Sequence, residues 1–321
     1  MNQRSKETIL ITGGAGFIGT HLAERLCDRA NVVLFDNFRR DSLSAVPFLR
    51  SHPGVRVVNG DVLDEASIAG AMDGASTVLH LAAIAGVSSY YTDPVKTLRV
   101  NVLGTVNVLE QCVRQGVRVF VDFSTSEIFG SMALFVDETS PSGIGPSSDR
   151  RWSYATSKLA SEQFALRYGE QHGFAAAVVR PFNIYGPRQT GEGAISNFCG
   201  AAARGEPLRV IGEGTSLRAW CYVSDLVDAV VAMLDMDDLG GQSFNLGNPA
   251  EVDTTIGLAR RVARLAPGTE IEFKEESGTD VRARVPNITR AQQLLGFEPR
   301  VGLDEGIERT LAWFREQEGS R

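Results

Sequence analysis

The 321-residue sequence predicts an α/β fold, a doubly wound parallel sheet followed by a smaller C-terminal lobe. Three observations carry that expectation. Six apolar runs succeed one another, the segments between them repeat hydrophobic residues at helical spacing, and the first run passes straight into a glycine-rich turn.

The runs are T-I-L-I-T, V-V-L-F-D, V-R-V-V-N, T-V-L-H-L, V-R-V-F-V-D-F and A-A-A-V-V-R. Segments so continuously apolar suit strands covered on both faces, and V-N-V-L-E-Q-C-V shows the helical pattern between them. After about residue 181 the regularity loosens into P-F-N-I-Y-G-P and G-E-G-A. Residues 1–180 are therefore read as the first domain and 181–321 mainly as the second lobe. The segment 223–248 returns to the first, because a helix from Val223 to Leu234 followed by S-F-N-L would extend its sheet.

Composition excludes several roles. With 43% hydrophobic and 22% charged residues the chain can bury a sizeable core, and its 33 glycines imply many tight turns. A net charge of -7 argues against a broad nucleic-acid or anionic-membrane surface. No apolar run reaches the length of a membrane span, and M-N-Q-R-S-K-E lacks a leader's apolar segment, which implies a cytoplasmic protein. Cys27, Cys112, Cys199 and Cys221 show no metal or redox spacing, so free thiols and no metal site are expected. Cys27, Cys112 and His80 read as packed core residues.

In G-G-A-G-F-I-G, Gly13, Gly16 and Gly19 have the spacing of a dinucleotide-binding turn, with Phe17 and Ile18 opening the helix. Glycine lets the backbone approach a pyrophosphate, and the helix N-terminus offers it N–H groups. Asp36 ends the second run, where a carboxylate can accept bonds from a ribose. A 2′-phosphate would meet like charge there, so NAD is expected over NADP, although Arg39 and Arg40 lie near. Asp61 is a candidate for the adenine edge or an ordinary turn carboxylate. Val62 beside it and Leu81, Ala82 and Ala83 of H-L-A-A complete the expected cofactor site. In Y-A-T-S-K, Tyr154 and Lys158 share one helical face. An ammonium near a phenol favours phenolate, which would make Tyr154 a usable base.

With T-G-G-A-G-F-I-G, S-T-S-E-I-F-G, Y-A-T-S-K, R-P-F-N-I-Y-G-P-R, G-E-G-T-S-L-R-A-W-C-Y-V-S-D-L and P-N-I-T-R-A-Q-Q-L-L-G-F-E-P in place, nearly the whole chain resembles the extended short-chain dehydrogenase/reductases, specifically the NAD-dependent nucleotide-sugar epimerases, dehydratases and decarboxylases. The resemblance implies a Rossmann domain holding NAD and a UDP-sugar as the favoured substrate. It also implies roles. Thr125 would bind the sugar's 4-hydroxyl, Tyr154 remove its proton, Lys158 hold the nicotinamide ribose, and Asn101 support the active-site helix. Asn183 and Arg218 would contact the diphosphate, Arg282 matches a diphosphate-binding arginine of the epimerases, Arg284 and Val210 would also face the substrate, and Phe198 would either stack on the base or make apolar core contact. Cys199 and Cys221 would fall around the nucleotide sugar, with packing favoured. Helices beginning near residues 94 and 154 would pair into a homodimer.

Glu127 divides the family's chemistries. Transient oxidation of C4 acidifies the C5 hydrogen, and Glu127 matches the carboxylate that takes it in dehydratases. Ser126 stands where their acid is usually aspartate, and a hydroxyl is a far weaker acid. The favoured reading is C5 deprotonation by Glu127 and loss of water from C6 of a UDP-hexose or UDP-hexosamine, as in the 5,6-dehydratase of tunicamycin biosynthesis. UDP-glucuronate decarboxylases also carry S-T-S-E, and Arg284 matches theirs, so decarboxylation is an alternative. C4 epimerisation is another, and a catalytically silent NAD-binding sensor is an alternative of a different class. A salt-bridged Glu127 with no catalytic task is the bland possibility.

Overall fold

The computed structural model describes residues 6–275 and 281–319. Met1–Ser5, the start of the stretch read for a leader, lie outside the described residues. In chain order the elements begin with β1 (Thr8–Thr12), α1 (Phe17–Leu26), β2 (Asn31–Asp36), α2 (Pro47–Ser51), β3 (Val55–Asn59), α3 (Glu65–Met72), β4 (Thr77–His80) and α4 (Val87–Thr92). Next come α5 (Pro94–Leu98), α6 (Gly104–Gln115), β5 (Val119–Phe123), β6 (Met132–Val136), α7 (Ser153–His172), β7 (Ala175–Pro181), β8 (Ile184–Tyr185), α8 (Ala194–Ala203) and β9 (Leu208–Ile211). The chain continues through β10 (Leu217–Ala219), β11 (Cys221–Tyr222), α9 (Val223–Leu234), β12 (Ser243–Leu246), β13 (Val252–Thr254) and α10 (Thr255–Leu265). It ends with β14 (Ile271–Lys274), β15 (Ala283–Pro286), α11 (Thr289–Leu295) and α12 (Leu303–Gly319).

Two compact units result. The first holds the described residues through Ile128, Pro146–Arg180 and Val230–Phe244. Its seven-stranded sheet has the order β12-β7-β5-β4-β1-β2-β3, and neighbouring strands from β7 to β3 are parallel. Leu10, Ile11, Leu34, Val78, Leu79, Phe120 and Val121 are fully buried, as the continuous apolar runs require. The chain order reverses between β1 and β4, and such a reversal opens a crevice beyond the carboxyl ends of the strands.

The helices start and stop on local signals. Asp64 accepts N–H bonds from Ala66 and Ser67 at the start of α3, and Gly116 ends α6 in the left-handed conformation. The long helix expected from residue 94 is α5 and α6 joined by a π-helical turn, Arg99–Leu103. That turn buries Asn101, whose carbonyl accepts Thr105 Oγ1 at 2.6 Å and Ser161 Oγ at 3.0 Å. A widened turn of this kind is frequent at functional sites. No helix among the described residues is long and apolar enough to cross a membrane.

The second unit holds Phe129–Gly145, Pro181–Ala229 and the described residues from Asn245 onward. Its main sheet has the order β13-β10-β15-β6, with two-stranded ribbons β11-β8 and β14-β9, and α8 packs against α10 and α12.

Candidate active site

At the end of β1, Gly13 adopts φ +70°, which an L side chain resists. A Cβ there would stand 2.8 Å from Ala82 N and 2.9 Å from Leu81 C, so only hydrogen allows the turn to lie against the loop after β4. The fold thus brings Gly13, Leu81 and Ala82 together across the switch point. At Gly19 a Cβ would come within 2.6 Å of the Gly13 carbonyl, which keeps α1 pressed on the turn. Asp36 Oδ2 accepts Ala15 N at 3.0 Å and Oδ1 accepts Phe38 N at 2.7 Å, so the carboxylate braces the glycine turn. Burial pushes its pKa up against the pull of those two N–H groups. Its remaining lone pairs suit a ribose diol. Arg40 donates to the Ala85 carbonyl at 2.8 Å, which gives that guanidinium a structural task, while Arg39 is exposed. Asp61 is a turn carboxylate that accepts Leu63 N at 2.9 Å and Asn37 Nδ2 at 3.1 Å, followed by buried Val62. A bare glycine turn, a helix N-terminus at Phe17 and Asp36 at its edge fit a dinucleotide.

The loop after β4 is tied to the helices. Asn101 Oδ1 accepts Ile84 N at 2.7 Å, while Nδ2 donates to Ile84 O and to Ser157 Oγ. Ser157 Oγ in turn donates to the Tyr154 carbonyl at 2.7 Å. Asn101 therefore links the Ala83 loop with the turn of α7 carrying Tyr154. His80 is a satisfied core histidine, with Nδ1 2.7 Å from Thr12 Oγ1 and Nε2 2.9 Å from Thr105 Oγ1. Burial, with help from the Lys158 charge, pulls its pKa down to about 3, so the ring is neutral.

Thr125 and Ser126 are buried at the end of β5, and Thr125 Oγ1 accepts Glu127 N at 3.2 Å. Glu127 is not a lone carboxylate. Arg151 donates to it twice, NH1 to Oε2 at 2.7 Å and NH2 to Oε1 at 3.3 Å. The Arg151 guanidinium also lies 5.0 Å from the Tyr90 ring centre and 5.7 Å from that of Trp152. Burial pulls the Arg151 pKa down, but the Glu127 carboxylate outweighs it and holds the group above its ordinary value. Asp149 accepts Arg151 N at 2.9 Å and so fixes the short turn leading into α7.

Lys158 is 1% exposed, and its Nζ donates to Asp122 Oδ1 at 3.1 Å. One helical turn further, Glu162 takes Arg180 in a bidentate pair at 3.0 and 2.8 Å. Sequence reasoning missed Arg151, Asp122, Glu162 and Arg180. Signals existed for two of them: Asp122 interrupts an apolar run, and Glu162 continues the Tyr154, Lys158 spacing by four.

The expected nucleotide-side residues all lie in the second unit. Arg218 of β10 is paired in parallel register with Arg284 of β15, which sets two guanidinium-bearing residues side by side on one face. Asn183, at φ +44°, donates to the Ala219 carbonyl next to Arg218 at 2.9 Å. Arg284 is buried and Arg282 is exposed. Phe198 and Val210 are buried on the packed elements α8 and β9, the apolar-contact alternative for Phe198. All four cysteines are free and buried.

A parallel sheet with a glycine turn at its switch point and a Tyr–Lys helix beside it defines a dinucleotide-dependent enzyme class. The chain belongs to the NAD dependent epimerase/dehydratase family, whose profile matches residues 9–247. It is 37% identical to UDP-glucuronic acid decarboxylase 5 of Arabidopsis thaliana over 95% of this chain and 88% of the relative. Against UDP-glucuronic acid decarboxylase 1 of Xenopus tropicalis it is 36% identical over 99% and 74%. Among solved structures it is similar to UDP-glucose 4-epimerase of Thermotoga maritima, with TM-score 0.88 and 28% identity over 97% and 99% of the two chains. UDP-glucuronic acid 4-epimerase of Bacillus cereus, solved with UDP-glucuronic acid and NAD, gives TM-score 0.89 and 25% identity over 97% and 99%.

Proposed function

We propose that this chain is an NAD-dependent UDP-sugar-modifying enzyme whose net reaction is decarboxylation of a UDP-uronate. NAD supplies the acceptor for the C4 hydride and its later donor. Gly13, Gly19, Asp36 and the Leu81–Ala83 loop hold it. Thr125 positions the 4-hydroxyl, and Tyr154 removes its proton under the positive field of Lys158. Once C4 is a ketone, the C6 carboxylate is β to it. The C5–C6 bond breaks, carbon dioxide leaves, and the electron pair enters the C4–C5 enolate, which takes a proton from solvent at C5 before C4 is reduced and Tyr154 returns its proton to O4. Asn183, Arg218 and Arg284 are the candidate diphosphate ligands, since guanidinium groups offer an anion charge-assisted and bidentate donors.

The Arg151–Glu127 pair carries this choice. Both Glu127 oxygens accept from the Arg151 guanidinium, whose positive charge disfavours transfer of a C5 proton to that carboxylate. Loss of carbon dioxide needs no such base. The UDP-glucuronic acid decarboxylases among the relatives support the same reading. Water loss from C6 remains the second reading, supported by the Glu127 N–H bond to Thr125 Oγ1, which ties Glu127 to the residue proposed to hold the 4-hydroxyl. Exposed Val95 and Leu103, eight residues apart on the α5–α6 run, and Phe164 on α7 support a homodimer.

Mass spectrometry after incubation with UDP-glucuronate, UDP-N-acetylglucosamine and dTDP-glucose tests the proposal. Loss of carbon dioxide from UDP-glucuronate is expected. Loss of water selects the second reading, inversion at unchanged mass selects epimerisation, and bound NAD with no product from any sugar selects the silent sensor.

A further inference from the structure

We propose that Asp122 is a positioning residue for Lys158, and that its negative charge sets how strongly the lysine favours the phenolate of Tyr154. β5 is otherwise a core strand, with Phe120, Val121 and Phe123 buried around a carboxylate that is itself 0% exposed. Such a group is costly to desolvate unless a cation faces it, and Lys158 Nζ does so at 3.1 Å. Its second oxygen, Oδ2, accepts no hydrogen bond among the described residues, so the ammonium is its one strong contact there.

The surroundings of Lys158 fix the sign of the effect. From β4 the neutral His80 ring faces it, held on both sides by threonines. Along α7 stand Tyr154 and Glu162, and the Glu162 carboxylate is taken by Arg180 from β7. Lys158 and Arg180 against Asp122 and Glu162 make a buried group of charges that sums to zero. An ammonium keeps two further donors after bonding Asp122, so a ribose can be bound without breaking the pair. The anion offsets the lysine's charge in a buried site and partly cancels its field at the phenol.

Asp122→Asn keeps the shape and the acceptor and removes the charge. The chain has lysines only at 6, 96, 158 and 274, so the Lys158 signal can be followed in protein labelled with 13C at lysine Cε, its assignment given by Lys158→Met. In the Asn variant the Lys158 signal is expected to titrate at lower pH than in the parent, because the ammonium has lost its facing anion. An unmoved midpoint in the folded variant overturns the proposal. In single-turnover NADH formation with a UDP-sugar, the limb assigned to Tyr154 deprotonation should move to lower pH. This second effect rests on the reaction proposed above, and absence of NADH from both proteins would reject that reaction while the lysine titration still decides the role of Asp122. If Asp122→Asn does not fold, the double variant Asp122→Asn/Lys158→Met, which removes both charges, is expected to fold. Failure of the double variant also overturns the proposal.

Discussion

Thr12 Oγ1 and His80 Nδ1 lie 2.7 Å apart at the buried ends of neighbouring strands β1 and β4. With Thr105 on its other nitrogen the ring has a partner on both sides, and its burial, with help from the Lys158 charge, keeps it neutral. Its pKa is about 3 in the fold against an ordinary 6.5, so between those values the unfolded chain binds a proton that the folded chain does not. Stability should therefore be lost as pH falls from 6.5 toward 3, by about 1.4 kcal/mol per unit and on the order of 3 kcal/mol by pH 4. Urea midpoints of the parent and His80→Gln across that range measure this, and the variant should show a flatter slope.

Glu127 and Arg151 are both largely buried, with side-chain exposures of 17% and 7%. Glu127→Gln leaves a buried guanidinium without its anion, and destabilisation of about 3 kcal/mol is expected. The double variant Glu127→Gln/Arg151→Met should recover much of that loss. Additive losses in denaturant titrations would show that the pair is not coupled.

Gly13→Ala should be severe because both backbone angle and space forbid it. A methyl at φ +70° and 2.8 Å from Ala82 N forces the turn away from the loop after β4. Loss of NAD binding in calorimetry and at least about 2 kcal/mol of stability are expected. An alanine variant with native affinity would remove the turn from the cofactor site.

For the nucleotide side, Arg218→Gln and Arg284→Gln should each weaken UDP binding by about tenfold to a hundredfold, as expected for charge-assisted bonds to an anion. Calorimetry with UDP alone measures this without turnover. Arg282→Gln, at an exposed position, is expected to change affinity little.

The sheet was legible because its inner strands are buried on both faces and carry little else but apolar residues, as Ile9–Ile11 and Val32–Phe35 show, whereas the edge strand β3 is only partly buried. Gly13 and Asp36 were legible as candidates because a dinucleotide turn needs glycine and a strand-end carboxylate at that spacing, while the bracing bond from Ala15 N to Asp36 was not. Arg151 was not, since an arginine three residues before Tyr154 has the same sequence appearance on a surface as over an aromatic ring. Asp122 and Arg180 lie in separate strands and meet their partners only through the packing of α7 on the sheet. The π-helical turn at Arg99–Leu103 was not legible, because one extra residue shifts the apolar spacing by a single position, within the irregularity of an ordinary amphipathic helix.

That turn constrains how the gene can change. Deleting one residue between Arg99 and Leu103 would restore ordinary helical spacing locally. The flanking turns would keep nearly their present relative phase, because the widened turn already absorbs the extra residue. Asn101, buried in that turn, would lose the local geometry that aims it at both Ile84 and Ser157. The extra residue thus serves the aim of one amide and leaves the register of the helix faces alone.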